Sequence, residues 1–313
     1  MVLTTTPNFS DGTASLSVDM IQDWLSILMT ENSMRIKRAI EFDQLFLTPR
    51  AVDYIFTLCA RLKLPQDVKF AAALIFDQFM LAHVDQMYAS LVELKMRDSK
   101  KTREWERIET TIAHQVPLRT LSCIQIASKM HSYHHSLSAK AVMQCLESLG
   151  LAYTEESVKR SELRVLKTLD FSVASHHSPV VYIETLLKIL HLDDDSLPAQ
   201  KIWLYAQLVL DVVFIERDAI YNRLMVNVLG QSAGCMTRER MAFLKADWLL
   251  LSAAVIVAAD SCVRGVNSGD KLIAPLSKVT HLPVEDIADF SVAIMQHFAA
   301  VQPLEIAQDS DHS

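Results

Sequence analysis

Residues 118–130 read "LRTLSCIQIASKM". On a helix, Leu121, Cys123, Ile124, Ile126, Ala127 and Met130 spread around most of the circumference. A helix apolar nearly all round is packed on several sides, so other helices must surround it. Ser122, Gln125 and Lys129 fall at i, i+3 and i+7 and share one narrow face. That polar strip is the part expected to see solvent or a partner, and it points to an all-α bundle with one surface left open.

The rest of the chain agrees with helices. Six Gly and nine Pro in 313 residues are few for a many-turned β protein, and no strand-like alternation is long enough to trust. Half the residues are hydrophobic, enough for a sizeable core in one large domain or two ordinary ones.

Residues 1–17 read as a disordered tail and 18–44 as an N-terminal helix, with Ile21, Leu25, Leu28 and Met29 at helical spacing. Pro49 opens a helix whose stripe is Val52, Ile55, Phe56, Cys59 and Leu62. "QDVKFAAALIFDQFMLAHV" follows, with Asp67 as its expected cap. Residues 83–116 form an insert rich in charge of both signs, read as a solvated helix or loop.

Beyond residue 130, "SLSAKAVMQCLESLGL" is a capped helix. "TEESVKRSELRVLKTLDF" is another, with Thr154 and Ser157 as candidate caps. From about residue 174 the pattern recommences as a weak repeat. In it, "VAADS" matches "IASKM", and "DIADFSVAIMQHF" matches "SVKRSELRVLKTL". Residues 301–313 form a polar tail.

One residue breaks its pattern. Val158, Glu162, Val165 and Leu169 fall at i, i+4, i+7 and i+11, which places Glu162 inside an apolar stripe. A carboxylate there costs several kcal/mol unless it is paired. Lys129 is a candidate partner at the edge of the central helix. Escape to solvent, or pairing with Lys159 or Lys167, also satisfies the pattern.

These segments resemble the cyclin box. "IFDQFM" is similar to the family's Asp-Arg-Phe-Leu helix, "IQIASK" to its Ile-Ala-Ser-Lys central helix, and "ELRVLKTLDF" to its Glu-x-x-aliphatic-Leu helix. The likeness spans 45–173, with a second, degenerate box over 174–300. It implies tandem cyclin-box helical bundles, the first well matched, plus an N-terminal helix. "LRTLSCIQIASK", "TEESVKRSELRVLKTLDF", "YIETLLKIL" and the long insert are most similar to an atypical branch of the family that acts in meiotic crossover maturation.

The resemblance implies a regulatory protein, not an enzyme. A cyclin docks a cyclin-dependent kinase and repositions the helix that completes the kinase's catalytic site. Carried over by motif, Lys129 and Glu162 would grip backbone groups of that kinase helix, and Leu118 would be an apolar contact beside them. Asp77 would be the acid that orders the box. Here the expected Arg partner of that acid is Thr48, with Arg50 two residues on, and the motif Arg is Gln78. The substrate-docking patch of cell-cycle cyclins maps to Leu47, Arg50, Ala51 and Tyr54, two of which lack its apolar bulk. In the second box, Asp260 and Ser291 take the places of Lys129 and Glu162. The expected partners are a cyclin-dependent kinase and meiotic recombination proteins. The expected location is the nucleus on meiotic chromosomes, with a cytoplasmic pool left open.

Other classes fare worse. "HSYHH" at 131–135 and "HH" at 176–177 lack Cys or carboxylates at metal spacing, so no metal is expected. No Gly-rich phosphate loop or nucleophile elbow is present, and no cofactor is expected. The net charge of −7 and the absence of a Lys/Arg stripe argue against direct nucleic-acid binding, as by the related transcription-factor-B fold. The longest apolar stretch, Trp248 to Ala259, is shorter than the roughly 20 residues of a bilayer span and reads as a core helix. Cys59, Cys123, Cys145, Cys235 and Cys262 form no C-x-x-C pair and read as reduced, buried thiols. A kinase-independent scaffold that recruits recombination factors through the insert or the second box is the remaining alternative.

Overall fold

The computed structural model describes residues 7, 9, 17–39, 46–94, 96–132, 136–173, 178–230, 238–265 and 269–301. Among them are thirteen α-helices and no strand. The chain divides into two compact units.

The first unit, Glu41–Ser178 with Met1–Thr5, holds α2 (Pro49–Arg61), α3 (Gln66–Glu93), α4 (Asp98–His131), α5 (Ala139–Ser148) and α6 (Glu155–Thr168). Side chains set most of these starts. Thr48, Ser138 and Thr154 accept hydrogen bonds from the N–H groups of Ala51, Ala141 and Ser157, satisfying donors a helix start leaves open. Helix α3 begins one residue before the expected cap Asp67, behind Pro65 and with no side-chain cap. The later part of α4 is the core of this unit. Leu118 and every residue from Thr120 to Ser128 are buried, and α2, α3, α5 and α6 all pack against α4.

The charged insert is helical. Helices α3 and α4 extend through it, and over 84–93 and 98–117 they bury only Leu91. This arm holds itself together. Tyr88 meets Trp105 edge to face at 5.4 Å, and Lys101 Nζ donates to the Val92 carbonyl at 2.9 Å, closing the end of α3. An arm that packs on itself adds little to the bundle. Replacing Asp85–Thr111 with a short Gly/Ser link is expected to leave the thermal midpoint within about 4 °C of the parent, as for a loss near 1 kcal/mol. Circular-dichroism melts check this.

His83 lies where the arm meets the bundle. It is buried and stacks on Phe79, with ring centroids 5.1 Å apart. Burial, then the charges of Arg164 and Arg119, hold its pKa down at about 4, against 6.5 for a free imidazole. The folded state refuses a proton that the unfolded chain accepts between those values. Stability is therefore present above pH 6.5 and lost as pH falls towards 4. In phosphate-free buffer, urea melts of wild type should weaken over this window, and a His83→Gln protein should lose that part of the slope.

The second unit comprises Thr6–Ile40 and Pro179–Ser313. It holds α1 (Val18–Lys37), α7 (Pro179–Asp193), α8 (Ala199–Ile215), α9 (Arg217–Leu229), α10 (Arg238–Ala246), α11 (Trp248–Arg264), α12 (Asp270–Thr280) and α13 (Val284–Val301). Helix α11 is its core, buried from Trp248 to Ser261 and packed by α1, α7, α8, α12 and α13. Among the described residues no single helix is long and apolar enough to cross a membrane.

The N-terminal helix thus belongs with the C-terminal half. Asn32 Nδ2 donates to Asp247 Oδ1 at 2.9 Å, and Asn32 Oδ1 accepts from the N–H of Trp248 at 2.9 Å. Tyr182 donates its hydroxyl to the Leu28 carbonyl at 3.1 Å. The Arg35 guanidinium lies 3.0 Å over the Trp248 ring, and burial lowers its pKa to about 10.

The cysteine expectation is corrected at one position. Cys59, Cys123 and Cys145 are free and buried, whereas Cys262 near the end of α11 is exposed. Cys235, residues 133–135 of "HSYHH" and the pair at 176–177 lie outside the described residues.

Candidate partner-docking site

The end of α4 is fixed by Ser128. Its hydroxyl donates to the Gln125 carbonyl at 2.8 Å and accepts from the Leu137 N–H at 2.9 Å, which holds Leu137 against the helix. Lys129 is the next residue, two before the helix ends.

Helix α6 is set against α4 by hydroxyls. Ser122 Oγ and Ser161 Oγ are 2.7 Å apart, and Ser122 Oγ also donates to the Leu118 carbonyl at 2.9 Å. Arg119 adds Nη1 to Ser161 Oγ at 2.8 Å. Ser122 and Gln125 are both buried, at 0% and 1% exposure. This corrects the expectation that the whole polar strip faces solvent. Ser122 faces α6, Gln125 is buried, and Lys129 alone emerges.

Lys129 Nζ donates to Glu162 Oε1 in a close ion pair. The Lys129 side chain is 41% exposed and that of Glu162 15%, so the pair sits at a rim with the carboxylate on the inner side. Lys159 pairs with Glu155 instead, one turn back along α6. Val158 and Val165, the apolar neighbours of Glu162 on its stripe, are fully buried. The geometry explains the anomaly: Glu162 is tolerated there because Lys129 neutralises it without sealing it. An ammonium has three N–H groups and a carboxylate has four lone-pair sites, so both keep capacity for another chain's backbone.

The other sequence-derived residues lie elsewhere. Leu118 is 5% exposed and sits eleven residues before Lys129, about 16 Å along the helix. It is a core residue and not an exposed contact beside the pair. Asp77 is 4% exposed in α3, and its Oδ1 accepts from the Phe46 N–H at 2.8 Å, which ties the approach to α2 onto α3. Thr48, at the position of the expected Arg, is the α2 cap.

Met130 on α4, Leu163 on α6 and Phe171 in the turn after α6 are exposed apolar residues of the same elements. Met130 and Leu163 adjoin the paired residues in sequence. Phe171 follows the end of α6, where Asp170 and Phe171 both take left-handed φ values, 51° and 58°. Its N–H bonds back to the Leu166 carbonyl at 2.8 Å, a helix-closing turn that lifts the ring into solvent. Non-glycine residues adopt this conformation at a cost. The signal in the sequence was the phenylalanine of "TLDF", just past the last helical residue.

The matching positions of the second unit are closed. Asp260 is fully buried and held by Arg264 through two bonds of 2.6 and 2.8 Å. Ser291 Oγ donates to the Ala288 carbonyl at 2.8 Å. Among the described residues no group of His, Cys, Asp and Glu is placed to hold a metal.

No family model matches the chain. Two curated proteins are similar over most of it. Cyclin N-terminal domain-containing protein 1 of Homo sapiens is 27% identical over 284 residues, covering 90% of this chain and 85% of the human protein. Its namesake in Mus musculus is also 27% identical over 284 residues, covering 90% of this chain and 84% of the mouse protein. Together with the all-helical fold, these relatives support a cyclin-like assignment.

Proposed function

We propose that this cyclin-like chain is a non-enzymatic regulatory subunit that binds a cyclin-dependent kinase and acts in meiotic crossover maturation, in the nucleus. The observation that carries the reading is the Lys129–Glu162 pair, half-open to solvent between α4 and α6. Backbone N–H and C=O groups at an irregular helix end need both an acceptor and a donor, and the pair presents one of each. Exposed apolar residues of the same two helices, Met130 and Leu163, offer area to bury when a partner docks. A docked subunit then biases the kinase helix towards the arrangement that supports phosphoryl transfer.

The reading is tested by presenting the immobilised chain to a panel of cyclin-dependent kinases. Saturable capture of at least one, with stimulated phosphoryl transfer, is expected. Capture of none at micromolar concentration overturns the reading.

A second reading, a kinase-independent scaffold, draws on the arm. Tyr88, Val92 and Leu94 are about half exposed there, away from the rim of α4 and α6. If recombination factors bind the chain through this arm, the replacement of Asp85–Thr111 will remove them and leave kinase capture unchanged.

A further inference from the structure

Where α3, α4 and α6 meet, the first unit gathers positive charge without a counter-charge. His83 stacks on Phe79, with rings 5.1 Å apart and 15° from parallel. The Arg119 guanidinium lies 5.9 Å from the centroid of the same ring. Arg119 Nη1 donates to Ser161 Oγ and Nη2 to Gln115 Oε1, both at 2.8 Å. Arg119 Nε and His83 Nδ1 are buried without partners. Arg164 lies three residues past Ser161 on the same face of α6, is exposed, and forms no ion pair among the described residues.

Beyond burial, Arg164 and Arg119 act on His83. Arg164, Cys123 and Tyr153 act on Arg119. No carboxylate is among them. In a chain of net charge −7, two guanidiniums beside a neutral imidazole, with no acid acting on them, are out of balance. Burial of unopposed charge is costly, and an anion removes the cost.

We infer that Arg119 and Arg164, over His83, form a binding site for a phosphate monoester. A dianionic phosphate matches two guanidiniums in charge, and its oxygens suit the forked Arg donors. The buried hydroxyl of Ser161 fixes the Arg119 guanidinium from beneath. The exposed Arg164 leaves the site open to solvent, so a phosphorylated side chain of a partner can reach it as readily as free phosphate. Neither source depends on the Lys129–Glu162 reading, because no kinase is needed for binding.

The test uses the full chain, with inorganic phosphate and a phosphoserine peptide as probes. Sodium chloride of equal ionic strength and the unphosphorylated peptide are the controls. At phosphate tenfold above its dissociation constant the thermal midpoint should rise by about 3 °C. Calorimetry should show the phosphopeptide binding at least tenfold tighter than its unphosphorylated form. Arg164→Gln, an exposed change that leaves the core intact, should abolish both effects. A response to inorganic phosphate alone assigns the site to the free anion, and a response to the peptide assigns it to phosphorylated partners. Either response lost in Arg164→Gln supports the inference. No response beyond the chloride control, or a response that survives in Arg164→Gln, overturns it.

Discussion

A Lys129→Glu/Glu162→Lys protein is expected to fold as well as wild type and to lose kinase capture. The double change keeps one cation and one anion at the same rim, so the ion pair can re-form with its polarity reversed. The pair is partly exposed, and such pairs contribute at most about 1 kcal/mol, so the thermal midpoint should move by only about 2–4 °C. Binding has no such compensation. Wherever the partner offered a carbonyl to Lys129 it now meets a carboxylate, and wherever it offered an N–H to Glu162 it meets an ammonium. Mismatch of a desolvated, hydrogen-bonded charge costs about 2–5 kcal/mol, on the order of 30-fold or more in affinity. Pull-down of the kinase panel beside a thermal melt reads both quantities. Undiminished capture in the swapped protein would sink the docking site. Equal damage to fold and capture would make the pair structural.

How far this site could be read in advance depended on contrast. Glu162 stood out because Val158 and Val165 framed it, and a charge in an apolar stripe demands a partner. Lys129 was one of three candidate cations, and only the crossing of α4 over α6 at Ser122 and Ser161 selects it. Leu118 shows the reverse case. A leucine at the right register looks the same whether it faces a partner or the core, and burial alone decides. The helices themselves were legible wherever apolar spacing was clean, as in α2 and α11. In the insert, the charges hid the contact of Tyr88 with Trp105, so helix and loop stayed equally open.

The placement of α1 was the least legible feature. Its apolar residues Ile21, Leu25 and Leu28 mark a buried face but not which unit buries it. The deciding contacts are polar and distant in sequence. Asn32 bonds to Asp247, 215 residues away, and Glu31, Asn32 and Arg35 are all buried although each reads as a surface residue. A small apolar cluster of Ala39, Ala242 and Ala246, with Ile36 and Phe243 against it, continues the same seam. Nothing in the periodicity of α1 encodes a hydrogen bond to the start of α11.

That bond yields the second large effect. Asn32→Ala is expected to destabilise the second unit by about 2–4 kcal/mol, because it strips partners from two buried groups at once. The Trp248 N–H loses its acceptor at 2.9 Å, and Asp247 loses a donor at 2.9 Å while still capping α11 through the Leu250 N–H. For a unit of this size the thermal midpoint should fall by roughly 5–12 °C. Amide exchange at Trp248 and Leu249 should accelerate with it. The loss should depend on pH with a definite sign. Burial already raises the Asp247 pKa above 3.8, against the pull of the Leu250 N–H and Asn32. Its ionised form is therefore the penalised one, and without Asn32 the penalty grows as pH rises from 3.8 through the raised value. Asn32→Asp sharpens the point. The substituted carboxylate keeps an acceptor for the Trp248 N–H but sets a second negative charge against Asp247. That protein should be less stable than Asn32→Ala at neutral pH and recover as acid supplies one proton for the two carboxylates to share. A midpoint independent of pH from 7 to 4 in Asn32→Asp would show that the two side chains do not meet, and that α1 is not held at the start of α11.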